Sequence, residues 1–165
     1  MSKIDIRHAQ SFDKEVIAKI YAATPELHTN AVIDFHDPDE LELALRDGRS
    51  IFLIAQDEKA HVCGFAYVKI KNKTISKEKA RLIHLVVIPE ERKTGAGKLL
   101  MKECVARLRE QGISDFYSCV NVRNIPMSAF LMHQGFVARD TFYRFELNLR
   151  DQIPLDLDHD YGDSD

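Results

Sequence analysis

The residues with the clearest chemistry lie between Leu85 and Leu100. There an apolar run, Leu85-Val86-Val87-Ile88-Pro89, is followed by Arg92-Lys93-Thr94-Gly95-Ala96-Gly97-Lys98. Strand, glycine-bearing turn and helix start follow one another. Successive backbone N–H groups at such a turn, reinforced by the helix dipole, form a phosphate site. The glycines allow close approach, and Arg92, Lys93 and Lys98 add positive charge. A nucleotide loop of the form GxxxxGK[ST] fails twice, since Arg92 stands at its first glycine and Leu99 at its hydroxyl position. The dinucleotide pattern GxGxxG has Leu100 in place of its third glycine, and its strand comes too late in the chain. What fits is [R/Q]xxGx[G/A], here Arg92-x-x-Gly95-x-Gly97. By itself the hexapeptide also fits a glycine-softened turn between strand and helix.

The elements that must position this turn alternate along the chain. Lys3–Arg7 reads as a short strand, and Ser11 as the cap of a helix carrying Phe12, Val16, Ile17, Ile20 and Tyr21. A loop spans about Ala23 to His36. Asp37-Pro38-Asp39-Glu40 opens a second helix that should stop near Gly48. Ser50–Gln56 and His61–Lys71 read as an antiparallel hairpin, and Arg81–Ile88 as a buried central strand. A long helix is expected from Gly95 to Gln111, a strand over Phe116–Val122 and a short helix from Pro126 to Gln134. Phe142–Leu149 alternates as a final strand should. The fold class is α/β (α+β), a mixed, largely antiparallel central sheet flanked by helices.

Two motifs on these elements resemble the GNAT superfamily of N-acetyltransferases. Arg92-x-x-Gly95-x-Gly97 is similar to the family's coenzyme-A pyrophosphate motif, and Asn124 to Gly135-Phe136 to its second motif: Asn, short helix, Gly-Phe. The order of elements along residues 3–149 is similar too. The resemblance implies that acetyl-CoA is the co-substrate and that no metal is needed. Its pyrophosphate would meet Arg92, Lys93, Thr94, Gly95, Ala96, Gly97 and Lys98, and its pantetheine the strand backbone at Leu85, Val86 and Val87. Asn124 would hold the pantetheine or cap its helix, and His133 would approach the coenzyme's phosphates. The acceptor amine would attack directly, so no Ser or Cys nucleophile is required.

Departures from the family pattern bear on proton transfer. Many relatives place a carboxylate on the central strand, whereas this chain has Arg81-Leu82-Ile83-His84-Leu85. His84 is then the titrating base on offer, or a structural histidine; one residue of strand register decides which. A water relay to Glu26 or Asp34 in the loop competes with it. The family's usual Tyr acid is Leu131 here, leaving Tyr143 or Tyr117 as substitutes, each also readable as a half-buried strand aromatic. An acyl-CoA-binding module with little turnover is the alternative these departures motivate.

Composition sets the outer bounds. The 165 residues are 45% hydrophobic and 30% charged, as expected for one globular domain over residues 1–150. Residues 151–165 hold six of the 26 acidic residues and no Lys or Arg, so the −3 net charge combines a +3 body with an acidic tail. That balance speaks against a nucleic-acid partner. Cys63, Cys104 and Cys119 lack metal or redox spacing and read as buried apolar thiols. With neither a signal-like nor a membrane-spanning segment, a cytoplasmic monomer or homodimer is expected.

Overall fold

β-Branched and aromatic residues concentrate between Ile51 and Val87, and they build the sheet on which the site rests. The computed structural model describes residues 3–27, 33–71, 78–145, 147, 149 and 150. In chain order its elements are β1 (Asp5–His8), α1 (Lys14–Ala22), α2 (Pro38–Arg46), β2 (Ile51–Gln56), β3 (Val62–Lys71) and β4 (Lys79–Val87), then α3 (Ala96–Glu110), β5 (Asp115–Ser118) and α4 (Ile125–His133). The strands lie side by side in the order β1-β2-β3-β4-β5. All neighbours are antiparallel except β4 and β5, which α3 joins as a parallel crossover. The mixed, mostly antiparallel sheet is the expected architecture.

Both sheet faces are buried. Leu53, Ala66, Val68 and Leu82 meet Leu100, Met101, Cys104 and Leu108 of α3 on one face. On the other, Phe52, Phe65, Tyr67 and Val86 pack with Ile17 and Tyr21 of α1, Leu41 of α2 and Phe35. This double coverage explains why β2 and β3 read as continuous apolar runs.

Helix starts follow local chemistry. The Asp37 side chain accepts the Asp39 N–H at 2.9 Å, with Pro38 leading α2, as its sequence signals require. At α1, Ser11 is not the cap. It begins a short 3-10 turn, Ser11–Asp13, and the buried Asp13 anchors this corner. Asp13 takes both guanidinium nitrogens of Arg7 at 2.7 and 2.8 Å and the Gln10 N–H at 2.7 Å. A buried carboxylate with three charge-matched or backbone donors outweighs a surface hydroxyl cap.

Three features of the sheet place the site. Tyr67 pairs with His84 and Val68 with Leu82, so Ile83 is an extra residue, a bulge in the central strand. β5 stops at Ser118 rather than Val122. Its ladder with β4 ends at the Leu82–Ser118 pair, where the Ser118 hydroxyl donates to the Leu82 carbonyl at 3.2 Å. β4 continues to Val87, so the two strands part and a gap opens between them. Finally, the expected strand at Phe142–Leu149 is absent from the described residues. Phe142, Tyr143, Phe145 and Leu147 are 67 to 92% exposed, because an alternating pattern supplies a face but not a partner edge. The acidic tail lies outside the described residues.

Candidate active site

The turn after β4 is shaped by backbone conformation. Lys93 (φ 70°) and Gly95 (φ 92°) both adopt the left-handed region, which curls successive N–H groups toward one concave side. Glycine accepts this conformation freely, whereas Lys93 holds it under strain of the kind that clusters at functional sites. Gly95 precedes the first residue of α3, and no side chain caps that helix. Its first-turn N–H groups therefore face outward with the helix dipole behind them. Arg92 ties the turn to the strand by donating from Nε to the Val87 carbonyl at 3.0 Å. Thr94 closes it with a 2.6 Å hydrogen bond to the Glu91 carbonyl. A Cβ at Gly97 would sit 3.6 Å from both Val87 and the Phe130 ring, so the cradle's floor is close-packed.

Two adjoining clefts occupy the gap beside β4. The larger, with a cavity volume of about 450 Å3, runs from Leu85–Val87 to Arg92, Lys93, Gly95, Gly97 and Lys98, and α4 closes it with Met127 and Phe130. The smaller, about 70 Å3, lies where β4 and β5 separate, between Arg81–Leu85 and Ser118–Asn121. Glu26, Leu85, Asn124 and Met127 line both. Glu26 rides on a short 3-10 turn, Pro25–Leu27, directly after α1. Just before that turn, Thr24 is buried and donates its hydroxyl to the Ile20 carbonyl at 2.8 Å, which fixes the chain's exit from the helix.

The residues singled out in the sequence divide between these clefts and the rest of the molecule. Leu85, Val86, Val87, Arg92, Lys93, Gly95, Gly97, Lys98 and Asn124 come together around the larger cleft. Ala96 is buried beneath the turn, and Thr94 shapes it from outside the lining. Asn124 also caps α4, accepting the Met127 N–H at 3.2 Å, so its two sequence readings are compatible. His133 does not reach the clefts: it is exposed at the opposite end of α4 and lines neither. Tyr143, 85% exposed beyond α4, lines neither cleft as well, since among the described residues no final strand carries it back to the sheet. Leu131, at the place of the family's Tyr, is buried in the α3-side core. Cys63 and Cys104 are buried thiols as expected, but Cys119 is exposed at the smaller cleft, since β5 has already ended there.

His84 is set by the bulge. It lies on the α1–α2 side, with ring centroids 5.0 Å from Tyr21 and 4.8 Å from Phe35. Nε2 is 2.8 Å from the Ile33 carbonyl, which requires that nitrogen to carry the proton and donate. Nδ1 is then a lone pair, buried and without a hydrogen-bond partner. Burial lowers the His84 pKa to about 4, only partly offset by the Ile33 hydrogen bond and nearby Asp34. The ring is neutral at physiological pH and forms part of the smaller cleft's lining. Sequence reasoning missed Met127 and Phe130, whose apolar spacing on a short helix is indistinguishable from core packing. No cluster of three metal-ligating side chains exists among the described residues, nor a helix long and apolar enough to cross a membrane.

Comparison with known proteins agrees with this geometry. The family model described as Acetyltransferase (GNAT) family matches residues 15–136. None of the curated proteins matches in sequence. Among solved structures, a tetramutant of the BH1408 protein from Bacillus halodurans superposes with a TM-score of 0.75 at 16% identity, covering 87% of this chain and 99% of that one. The aminoglycoside acetyltransferase meta-AAC0020 from an uncultured soil metagenomic sample gives 0.71 at 17%, over 88% and 96%. Glucosamine-6-phosphate N-acetyltransferase from Arabidopsis thaliana gives 0.69 at 14%, over 88% and 99%. At these identities the superpositions speak to fold alone. The family-model match, which spans well over half the sequence, shows that the chain belongs to the GNAT acetyltransferase family.

Proposed function

We propose that this protein is an acetyl-CoA-dependent N-acetyltransferase that transfers the acetyl group directly to a primary amine. The observation that carries the reading is the junction of two clefts at the point where β4 leaves β5, with the left-handed, cation-bearing turn before α3 at one end. The residues present suit the coenzyme. Left-handed Lys93 and Gly95, the uncapped first turn of α3, and the cations Arg92, Lys93 and Lys98 match a pyrophosphate. Beyond Leu82, no strand among the described residues pairs with β4 on its β5 side, so Leu85–Val87 can accept a pantetheine chain as an added strand. When bound, acetyl-CoA supplies an activated thioester; this chain's task is to orient it and manage charge and protons.

Backbone N–H groups of β4 near the junction are suited to the charge that develops on the thioester oxygen. The incoming amine must be deprotonated, and the Glu26 carboxylate at the junction of the clefts is suited to that, whereas the buried Nδ1 of His84, on a ring whose pKa is lowered to about 4, suits a structural role. His84 also ties β4 to the Ile33 carbonyl, ahead of α2. Among the described residues no tyrosine lines either cleft, and the departing thiolate takes its proton from water, as a thiol of pKa about 8.5 permits.

Calorimetry with acetyl-CoA together with thiol release over a panel of primary amines tests the reading. Binding accompanied by amine-dependent release of coenzyme A is expected. Tight binding without such release would instead identify a coenzyme-binding module without turnover.

A further inference from the structure

Among the described residues, Arg81 is a charged side chain without a hydrogen-bond or ion-pair counterpart. It stands on β4 directly across from Tyr117 of β5, with its guanidinium carbon 6.0 Å from that ring's centroid. Its Nε is buried and has no hydrogen-bond partner, and the ion pairs among the described residues do not include it. A donor withdrawn from water without an acceptor is unfavourable unless something else satisfies it. Cation–π attraction to Tyr117, at the limit of its range, does not replace an acceptor.

Arg81 lines the smaller cleft but not the larger, whereas Glu26 lines both. The charged side chains of the smaller cleft are therefore one carboxylate at the junction and one guanidinium deeper in. His84 between them is neutral at physiological pH. Leu85, at the junction, and Arg81 pair with Ala66 and Lys69, three residues apart on β3 because Ile83 is bulged, which at about 3.3 Å per residue puts the two backbone positions about 10 Å apart. The reach of the arginine side chain shortens that span to several bonds of an occupant.

We propose that the smaller cleft selects acceptors that carry an anionic group, carboxylate or phosphate, several bonds from the reactive amine. The amine lies at the Glu26 end, next to the larger cleft, and the anion is received by Arg81. This inference rests on the acetyl-transfer reading for the identity of the occupant, but not for the existence of the anion subsite. The polarity of the cleft fixes orientation as well as affinity. An acceptor entering the wrong way round would set its anion against Glu26 and its ammonium against Arg81.

The test compares hexylamine, 6-aminohexanoate and 5-aminopentyl phosphate as acceptors for the wild type, Arg81→Gln and Arg81→Lys, by thiol release and by calorimetry with and without coenzyme A. The expected result is a kcat/KM at least tenfold higher for an anionic acceptor than for hexylamine. Arg81→Gln should lower the anionic acceptor's kcat/KM about tenfold more than that of hexylamine, through KM, with partial recovery in Arg81→Lys. Whether carboxylate or phosphate gains more identifies the natural anion. If no amine releases coenzyme A but an anionic probe binds in an Arg81-dependent way, the transfer reading falls and the subsite stands. Equal handling of all three probes in both assays, or equal losses in Arg81→Gln, overturns the subsite.

Discussion

The two long sides of β4 have opposite fates. Toward β3 the strand is paired from Lys79–Lys71 to Val87–Gly64, interrupted only by the bulge at Ile83. Toward β5 pairing ends at Leu82–Ser118, and the rest of the strand faces the clefts. One apolar run thus serves as core on one side and as cleft wall on the other. The lesson is that the site comes from where pairing stops, rather than from unusual residues on the strand itself. The bulge adds the second ingredient by turning His84 toward the α1–α2 connection while Leu85 stays on the α3 face.

Changes aimed at either side should have distinct consequences. The largest effect is expected on the open side from Gly95→Glu, which sets bulk and negative charge where an anion is to bind and strains a φ of 92°. Coenzyme-A affinity should fall more than a hundredfold by calorimetry with the fold retained; unchanged affinity would mean the cradle is only a turn.

On the paired side, acidification tests the placement of His84. Its pKa is about 4 in the folded chain, against about 6.5 when unfolded. The unfolded chain therefore binds the proton first, and stability falls as pH drops from 6.5 toward 4, by about 3 kcal/mol in all. Denaturant melts of the wild type and His84→Gln across this window should diverge, with the variant flatter. Parallel curves would show that the ring is not buried as described.

Gly64→Ala should act next, and only on stability. Its Cβ would lie 2.2 Å from the Val86 carbonyl oxygen, so β3 or β4 must shift, at a cost of about 1–3 kcal/mol. A thermal midpoint lower by several degrees is expected, and an unchanged one would contradict the close approach of the two strands. The smallest effect belongs to Tyr143→Phe. With Tyr143 exposed and outside both clefts, turnover should change less than twofold; a large loss would show that this segment reaches the site.

Much of this was legible in the sequence, and the misses share a cause. The strands up to Val87, α2 and α3 follow from periodicity and caps because neighbours in sequence decide them. The turn proposed to hold the anion was readable because its glycines and cations sit within one heptad-sized stretch. The bulge at Ile83, the early end of β5 and the exposure of Tyr143 were not, since each depends on whether a partner strand is there. Glu26 was visible as one loop carboxylate among several, but its position at the junction of two clefts is a property of the short turn that carries it. Arg81 read simply as the start of a strand; its unsatisfied Nε appears only when β5 lies beside it.

Amide hydrogen exchange with and without acetyl-CoA tests most directly whether the unpaired side of β4 is the coenzyme site. Protection should rise over residues 85–98, the β4 end and the turn, and leave β1 and β2 unchanged. If saturating acetyl-CoA leaves residues 85–98 exchanging as before, the gap between β4 and β5 is not where the coenzyme binds.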